Sequence, residues 1–182
     1  MAGQLVQVAT NTISSAVSSV TLTGIDDDSV YLFTWVGVTC ASDVNQNQIR
    51  ITKSGTAQSD SEYDFASKQL FASTSFVDNG QVNQTSFIDL YIGNNTGEMA
   101  NGLVYLYNFN NSSDYSFVTR EQVSLSHVAQ TQGVMGGGVH TVASASDGVN
   151  YFMASGNLTG GTFTLYRCLW VITNLDIYQI VQ

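Results

Sequence analysis

The stretch VYLFTWVGVTC, from Val30 to Cys40, decides the fold of this chain. Apolar side chains fall on both of its alternating faces: Leu32, Val36 and Val38 on one, and Tyr31, Phe33 and Trp35 on the other. A strand that is exposed on one side alternates apolar and polar residues, whereas a strand that is covered on both sides is apolar throughout. We therefore expect a central strand here, covered on both faces.

Shorter segments with the same β-branched and aromatic bias recur along the chain. Residues 18–24 alternate, with Val20 and Leu22 on one face and Ser and Thr on the other, which indicates a half-exposed strand. The other strand candidates are Leu5–Ala9, Gln48–Lys53, Ser86–Ile92, Gly102–Phe109, Tyr115–Thr119, Val139–Ala143, Val149–Ala154 and Thr162–Leu169. Turns rich in Gly, Asn and Asp separate these segments. We predict an all-β fold, an antiparallel β-sandwich that is jelly-roll-like and has about ten strands.

The composition excludes several classes of function. Fourteen acidic against five basic residues give a net charge of −9, so phosphate backbones repel the chain and we expect no nucleic-acid partner. No apolar run is long enough to span a bilayer, and the first residues lack the basic and apolar regions of a secretory signal. We therefore expect no membrane association.

Helix is disfavoured because only three Glu and two Lys are available for stabilising pairs on a helix surface. The segment Asp60–Phe76 is the one plausible helix, since Tyr63, Ala66 and Leu70 lie near helical spacing. Its many Ser and Thr residues favour irregular structure or an edge strand instead. Both alternatives stay open from the sequence.

Residues with catalytic or ligand-binding chemistry are few. His127 and His140 could face each other across neighbouring strands, but a zinc site needs a third ligand. The run GVMGGG at 133–138 lacks the Lys, the Ser or Thr and the following helix of a phosphate loop, so we interpret it as a loop between strands. The acidic clusters Asp26–Asp28 and Asp60–Asp64 leave calcium binding open, although solvated turns explain them better.

No catalytic signature emerges from these residues. We expect no enzymatic activity, no catalytic residues, no cofactor and no metal ion. Cys40 and Cys168 each lie in an apolar strand-like run, and two cysteines in a chain of 182 residues do not form a disulfide framework. We expect both to be small buried hydrophobes.

The segment from Leu169 to Gln182 is unusually apolar for the end of a chain. Such a segment aggregates unless something covers it, either as the last strand of its own sandwich or as an arm on another subunit. We therefore treat residues 1–168 as a single β-sandwich domain and residues 169–182 as a C-terminal apolar strand or arm. The predicted interface residues are Leu5, Val6, Val8, Leu169, Trp170, Val171, Ile172, Leu175, Ile177, Tyr178 and Ile180.

Several turn-and-strand motifs between residues 17 and 168 carry a resemblance to a known group of proteins. They are KSGTA at 53–57, DSEYDF at 60–65, TGE at 96–98, YNFNN at 107–111, GGGVHTV at 136–142 and GTFTLY at 161–166. These motifs resemble those of small β-rich virion proteins of tailed bacteriophages. The resemblance implies a capsid decoration, head-fibre or tail-fibre component.

The expected function is that of a non-enzymatic phage virion structural protein. It would be a capsid cement or decoration protein, made in the bacterial host cytoplasm, that stabilises the outer capsid surface as an oligomer, which we expect to be a trimer. Its partners would be further copies of itself and the major capsid protein, held by many weak apolar contacts acting together.

Two alternatives remain open from the sequence. The first is a tail-fibre or head-fibre protein that recognises host surface glycans through aromatic residues in loops. The candidates for such contacts are Tyr63, Phe65, Phe76, Phe109 and Tyr115. The second is a polysaccharide depolymerase that acts through Asp60, Glu62 and Asp64.

Overall fold

A computed structural model describes residues 2–171, and for Ala2, Gly3, Trp170 and Val171 it describes the backbone alone. All regular elements in this range are β-strands, which confirms the all-β prediction. None of the residues in this range belongs to a helix that could cross a membrane. The strands are β1 (Ala2–Thr12), β2 (Ser19–Thr23), β3 (Tyr31–Cys40), β4 (Asn45–Lys53), β5 (Thr56–Ala57), β6 (Tyr63–Phe71), β7 (Phe76–Gln84), β8 (Phe87–Ile92), β9 (Ala100–Tyr107), β10 (Ser116–Leu125), β11 (Thr131–His140), β12 (Gly148–Met153) and β13 (Leu158–Val171).

The strands form two antiparallel sheets that pack face to face. The larger sheet has the order β1-β13-β3-β9-β10-β11-β6-β7, and the smaller has the order β2-β12-β4, with both β5 and β8 pairing to β4. Without β5, β6, β7, β10 and β11, the two sheets reduce to β1-β13-β3-β9 and β2-β12-β4-β8. That arrangement is the double Greek key of a jelly roll, so the predicted topology is confirmed.

Two hairpins extend this jelly roll on one side. The first, β6 and β7, is inserted between β4 and β8, and the second, β10 and β11, is inserted between β9 and β12. Both add to the larger sheet beyond β9, and β8 of the smaller sheet packs beneath β10, β11 and β6. The hairpins therefore widen one sheet from four strands to eight.

The strand β3 lies inside the larger sheet, between β13 and β9, as its sequence predicts. Its aromatic face, with Phe33 and Trp35, is buried against the smaller sheet. There Trp35 lies 5.5 Å from Tyr151, and Tyr151 lies 4.9 Å from Phe163, measured between ring centroids. Aromatic side chains of this size dominate the burial that stabilises a core.

The other face of β3 differs from the expectation. Val36 is 59% exposed and Leu32 is buried on the same face, whereas Val38 packs into the core because the register of β3 with β9 shifts between Trp35 and Val38. The residues paired with this face in β9 and β13 turn outward with it, and no described element covers them. In β3, the apolar pattern on both faces therefore corresponds to one face that is buried and one apolar face that is open to solvent.

Two other predictions are corrected, and the first is the strand count, since the described range holds thirteen strands rather than about ten. Of the alternatives left open for Asp60–Phe76, the structure shows a strand, β6, followed by the turn into β7. The run at 133–138 lies inside β11 and not in a loop. Gly136 is needed there for close packing, because a Cβ at this residue would lie 2.3 Å from the carbonyl oxygen of Ala66 on β6.

The cysteines follow their prediction in part. Cys40 is buried in the core, and Cys168 on β13 is half-buried. Burial raises the pKa of both thiols, which keeps them in the neutral form. Both are free thiols.

Candidate functional site: the outer face of the eight-stranded sheet

The larger sheet has an inner face, which packs against the smaller sheet, and an outer face, which none of the residues between 2 and 171 covers. The strand register decides which side chains share the outer face, because paired residues of antiparallel strands point to the same side. One row across the outer face consists of Thr34, Leu103, Glu121, Met135 and Lys68.

A groove of about 830 Å³ runs along this face, and we call it the outer groove. Val123 is 50% exposed and Met135 is 53% exposed, values that are unusual for neighbouring apolar side chains on one surface. The apolar side chains that line it are Leu5, Leu32, Val36, Leu70, Leu103, Val123, Met135 and Tyr166.

The outer groove is deepest at Gly133, because this residue has no side chain and lies between two larger residues. Gly133 pairs with Val123 on one side and with Leu70 on the other. A Cβ at Gly133 would meet the Leu70 side chain at ordinary van der Waals distance, 3.7 Å away. The glycine therefore leaves room for a ligand atom rather than relieving a clash.

The outer groove offers few polar groups. Glu121 is the one charged side chain among its described lining residues. The side-chain oxygen of Asn101 accepts a hydrogen bond from the Gly37 backbone amide at 2.8 Å, so the Asn101 oxygen already has a partner. The groove therefore matches an apolar occupant.

A strip of aromatic residues lies beside the outer groove. Tyr107 pairs with Phe117, and Tyr105 pairs with Thr119, so that the three rings point outward from β9 and β10. Tyr105 and Phe117 are exposed, and the hydroxyls of Tyr107 and Thr119 lie 3.2 Å apart. We call Tyr105, Tyr107 and Phe117 the aromatic strip.

A buried polar network lies on the inner side of the same strands. The Arg120 guanidinium contacts the Asp89 carboxylate at 2.7 Å and donates to the Ile88 carbonyl, also at 2.7 Å. Asn47 donates from its Nδ2 to Asp89 at 3.2 Å and to Gln122 Oε1 at 2.7 Å. Burial raises the pKa of Asp89, while Arg120 and Asn47 act in the opposite direction. The network joins β10 to β4 and β8, and so fixes which residues of β10 face outward.

Four of the predicted interface residues have described side chains. Leu5 and Val6 on β1 are exposed, and Leu5 lines one end of the outer groove. Val8 packs against the core, and Leu169 is half-buried on β13. The structure thus brings Leu5 to the groove, whereas Val8 supports the sandwich itself.

The remaining predicted interface residues lie near or beyond the end of the described range. The backbones of Trp170 and Val171 belong to β13 and pair with Gly3 and Ala2 of β1. The strand therefore runs past residue 168. The predicted residues outside the described range are Ile172, Leu175, Ile177, Tyr178 and Ile180.

The two histidines do not face each other. His127 lies in the turn between β10 and β11, and His140 lies at the far end of β11, where it pairs with Ser116. His140 is buried, and its Nε2 is 3.1 Å from Glu62. Burial lowers the pKa of His140, and Glu62 partly offsets this effect.

In the first acidic cluster, Asp27 is bound to other side chains of the protein. Asp27 forms an ion pair with Arg167 and accepts a hydrogen bond from the Tyr31 hydroxyl at 3.0 Å. Burial raises the pKa of Asp27, but hydrogen bonds from Ser29 and Tyr31 and the charge of Arg167 outweigh it and lower that pKa. Burial and the hydrogen bonds to Asp26 and Asp27 raise the pKa of Tyr31 to about 12.

In the second cluster, Glu62 turns to His140 and Asp64 accepts the Asn83 amide at 2.7 Å. Tyr63, between them, is fully buried. Within residues 2–171, no three His, Cys, Asp or Glu side chains are placed to hold a metal ion together.

The aromatic residues predicted for glycan contact divide into two groups. Tyr63, Phe65 and Phe109 are buried in the core, so the prediction is wrong for them. Phe76 and Tyr115 are exposed. The sequence reading missed the aromatic strip because it lies in strands, where burial is the usual explanation for an aromatic ring.

This chain bears little sequence similarity to known proteins. No family model matches it, and no curated protein matches it. Among solved structures, it is similar to the CBM2 module of the evolved Dit of Lactobacillus casei BL23 phage J-1. The two share 13% identity with a TM-score of 0.23, over 84% of this chain and 70% of that one.

Proposed function

We propose that the chain is a non-enzymatic structural protein of a tailed-phage virion, a decoration or cement protein that binds the outer capsid surface. The observation that supports the proposal best is the outer groove. It is an apolar surface on the outer face of the larger sheet, whose inner face already packs against the smaller sheet. The phage-like turn motifs of the sequence support the same class.

The energetics favour assembly over a free monomer. Full burial of a Val, Leu or Met side chain contributes roughly 1.5–3 kcal/mol, so covering Val36, Val123 and Met135 gives a useful contact energy. Single contacts of this kind are weak, but many copies on one lattice bind with high avidity. The net charge of −9 keeps the chain soluble and away from packaged DNA.

The mass of the purified chain in solution and its position on the particle test this function. We expect a trimer by light scattering, and density for the chain on the outside of the shell in a reconstruction of the intact particle. A monomer at concentrations of tens of micromolar, or density confined to the tail, would contradict the cement function.

The aromatic strip favours a second candidate, recognition of host surface glycans by a fibre protein. Tyr105 and Phe117 are exposed on a flat part of the sheet, where a ring can stack against the face of a sugar. A glycan array separates the candidates: binding that is lost in Phe117→Ala and kept in Val123→Glu supports recognition, and no binding to any glycan contradicts it.

A further inference from the structure

The end of β13 lies beside one end of the outer groove. Leu5, which lines the groove, pairs with Cys168 of β13, and Val171 lies three residues further along the same strand. At about 3.4 Å per residue, this step is roughly 10 Å. The chain therefore leaves the described range close to an exposed apolar surface.

The direction of β13 decides which groove its continuation can reach. The strand passes Tyr166, a groove residue, and then runs beyond Tyr31, where β3 begins. An extended continuation moves away from the groove of its own copy. Such a continuation would therefore reach a neighbouring molecule at this edge.

The length of the remaining chain suits the outer groove. The groove is lined from β1 to β6, which are six strand spacings apart, or about 29 Å at 4.8 Å per spacing. Residues 172–182 are eleven residues, which extend to about 36 Å at 3.3 Å each. Their sequence, ITNLDIYQIVQ, is mainly apolar, as is the groove lining.

We propose that residues 172–182 of one copy bind in the outer groove of a neighbouring copy. This proposal rests on the proposed function, because it names the surfaces through which the oligomer forms. The two surfaces differ, so the contact is head-to-tail, and such contacts close into a ring when the rotation between copies allows it. Three copies would give the expected trimer with each segment and each groove used once.

The charge of the groove predicts a variant that binds more tightly. Asp176 is the one charged residue in the sequence 172–182, and Glu121 is the one charged residue in the described groove lining. Like charges in an apolar contact weaken it. We expect Glu121→Gln to lower the dissociation constant of the oligomer by more than Asp43→Asn, which removes the same charge at an exposed residue outside the groove lining.

A pair of full-length variants tests the groove. Val123→Glu places a charge in the groove, and Val128→Glu makes the same change at an exposed valine in the β10–β11 turn, outside the groove. We expect at least tenfold weaker association for Val123→Glu and wild-type association for Val128→Glu, by sedimentation equilibrium. Circular dichroism confirms that both variants fold.

A mixing experiment tests whether the segment and the groove come from different copies. The variant Ile177→Glu/Ile180→Glu keeps the groove and alters the segment, whereas Val123→Glu keeps the segment and alters the groove. Each alone should be monomeric, and an equimolar mixture should form a dimer through the one intact segment and the one intact groove. A mixture that stays monomeric overturns the proposal.

Cross-linking identifies the contact directly. A photo-reactive residue replaces Tyr178 in a mixture of 14N- and 15N-labelled full chains, and cross-linked peptides are read by mass spectrometry. We expect links from position 178 to peptides of β9, β10 or β11 that combine both isotopes. Links within one isotope only place the segment in its own copy and overturn the proposal.

These outcomes separate the two proposals. A wild-type chain that is a monomer contradicts the assembly function itself. A Val123→Glu variant that assembles like the wild type leaves the assembly function standing and overturns the assignment of the groove.

Discussion

Arg120 is the largest charged side chain in the core of the described range, and it has one acidic partner, Asp89. Its guanidinium also lies 4.8 Å from the centre of the Phe65 ring. Taking two charges out of water costs nearly as much as their attraction returns, so an intact buried pair adds little net stability. Removing one partner is different, because the other charge is left buried.

The first prediction concerns this pair. We expect Arg120→Met to lower the free energy of unfolding by about 3–5 kcal/mol, since Asp89 is left without its counter-charge. We expect the double variant Arg120→Met/Asp89→Asn to recover part of that loss. Urea denaturation of the four proteins in the cycle measures the coupling, and strictly additive losses would contradict the ion-pair explanation.

The second prediction concerns His140, whose pKa lies below the ordinary value of 6.5 because the side chain is buried. Glu62 raises this pKa and Lys53 lowers it, but burial dominates. Below pH 6.5 the unfolded chain binds a proton at His140 that the folded chain resists. This contribution to the free energy of unfolding should therefore have its full value above pH 6.5. It should fall as the pH drops toward the folded-state pKa, by at most about 1.4 kcal/mol per pH unit.

Chemical denaturation between about pH 7.5 and 5 measures this slope, since the window spans the unfolded-state pKa of His. Replacing the imidazole in His140→Gln keeps a polar side chain opposite Glu62 and removes the titration. We expect a flatter profile for this variant than for the wild type. Parallel profiles would assign the pH dependence to other groups.

At the scale of elements, the strand β11 depends on its glycines unequally. A Cβ at Gly136 would lie 2.3 Å from the Ala66 carbonyl oxygen, and a Cβ at Gly138 would lie 2.6 Å from the Phe87 ring. At Gly133 the nearest atom would be 3.5 Å away. The glycines at 136 and 138 thus allow β6 and β8 to approach β11, and Gly133 does not serve that purpose.

The third prediction follows from these distances. We expect Gly136→Ala to lower the free energy of unfolding by about 1–3 kcal/mol through overpacking. We expect Gly133→Ala to change it by less than about 0.5 kcal/mol, as for a surface substitution. Thermal unfolding of both variants gives the comparison, and equal losses would mean that the contact distances at these two glycines do not control the stability of this strand.

The sequence predicts the jelly-roll strands well because their patterns are local. Val20 and Leu22 alternate with polar residues as a half-exposed strand requires, and the aromatic residues of β3 alternate on its buried face. The hairpin extension is harder to predict. Glycines such as Gly136 have low intrinsic strand preference, and only the neighbouring strand β6 makes them necessary.

The candidate site was less predictable for a related reason. Val36 lies in a strand that is apolar on both faces, and nothing in its own segment says which face is covered. Val123 and Met135 lie on the two strands of one hairpin and become diagonal neighbours only through the register of β10 with β11. Leu5 reaches the groove from β1. Its role at an interface, which its apolar segment predicts, stays a prediction.

At the scale of the whole molecule, charge and apolar surface oppose each other. Each copy carries a net charge of −9, so copies repel at low ionic strength, while the proposed contact would bury the apolar lining of the outer groove. Screening reduces the repulsion and leaves the apolar contact intact, since the Debye length falls from about 30 Å at 0.01 M salt to about 3 Å at 1 M.

The fourth prediction is therefore that association tightens as salt is raised over this range. Sedimentation equilibrium at the two salt concentrations measures the dissociation constant. Association that weakens with salt would show that ion pairs between copies, rather than apolar contacts, hold the oligomer together.

The fifth prediction concerns the chain beyond Val171. A chain that ends at Val171 keeps all thirteen described strands, including the pairing of β13 with β1. We expect it to fold with the circular dichroism spectrum of the full chain and to sediment as a monomer. Loss of the β-sheet spectrum would mean that residues 172–182 contribute to the core instead of to an interface.

The pairing of β1 with β13 also imposes a delay during synthesis, because β1 is made long before the strand that pairs with it. Ala2 is synthesised 169 residues before its strand partner Val171. At 5–20 residues per second this is a wait of about 8–34 s, in which an apolar sheet edge with Leu5 and Val6 has no neighbour. During this interval the segment is an unpaired apolar strand edge, which can pair wrongly with another chain until translation supplies the strand that covers it.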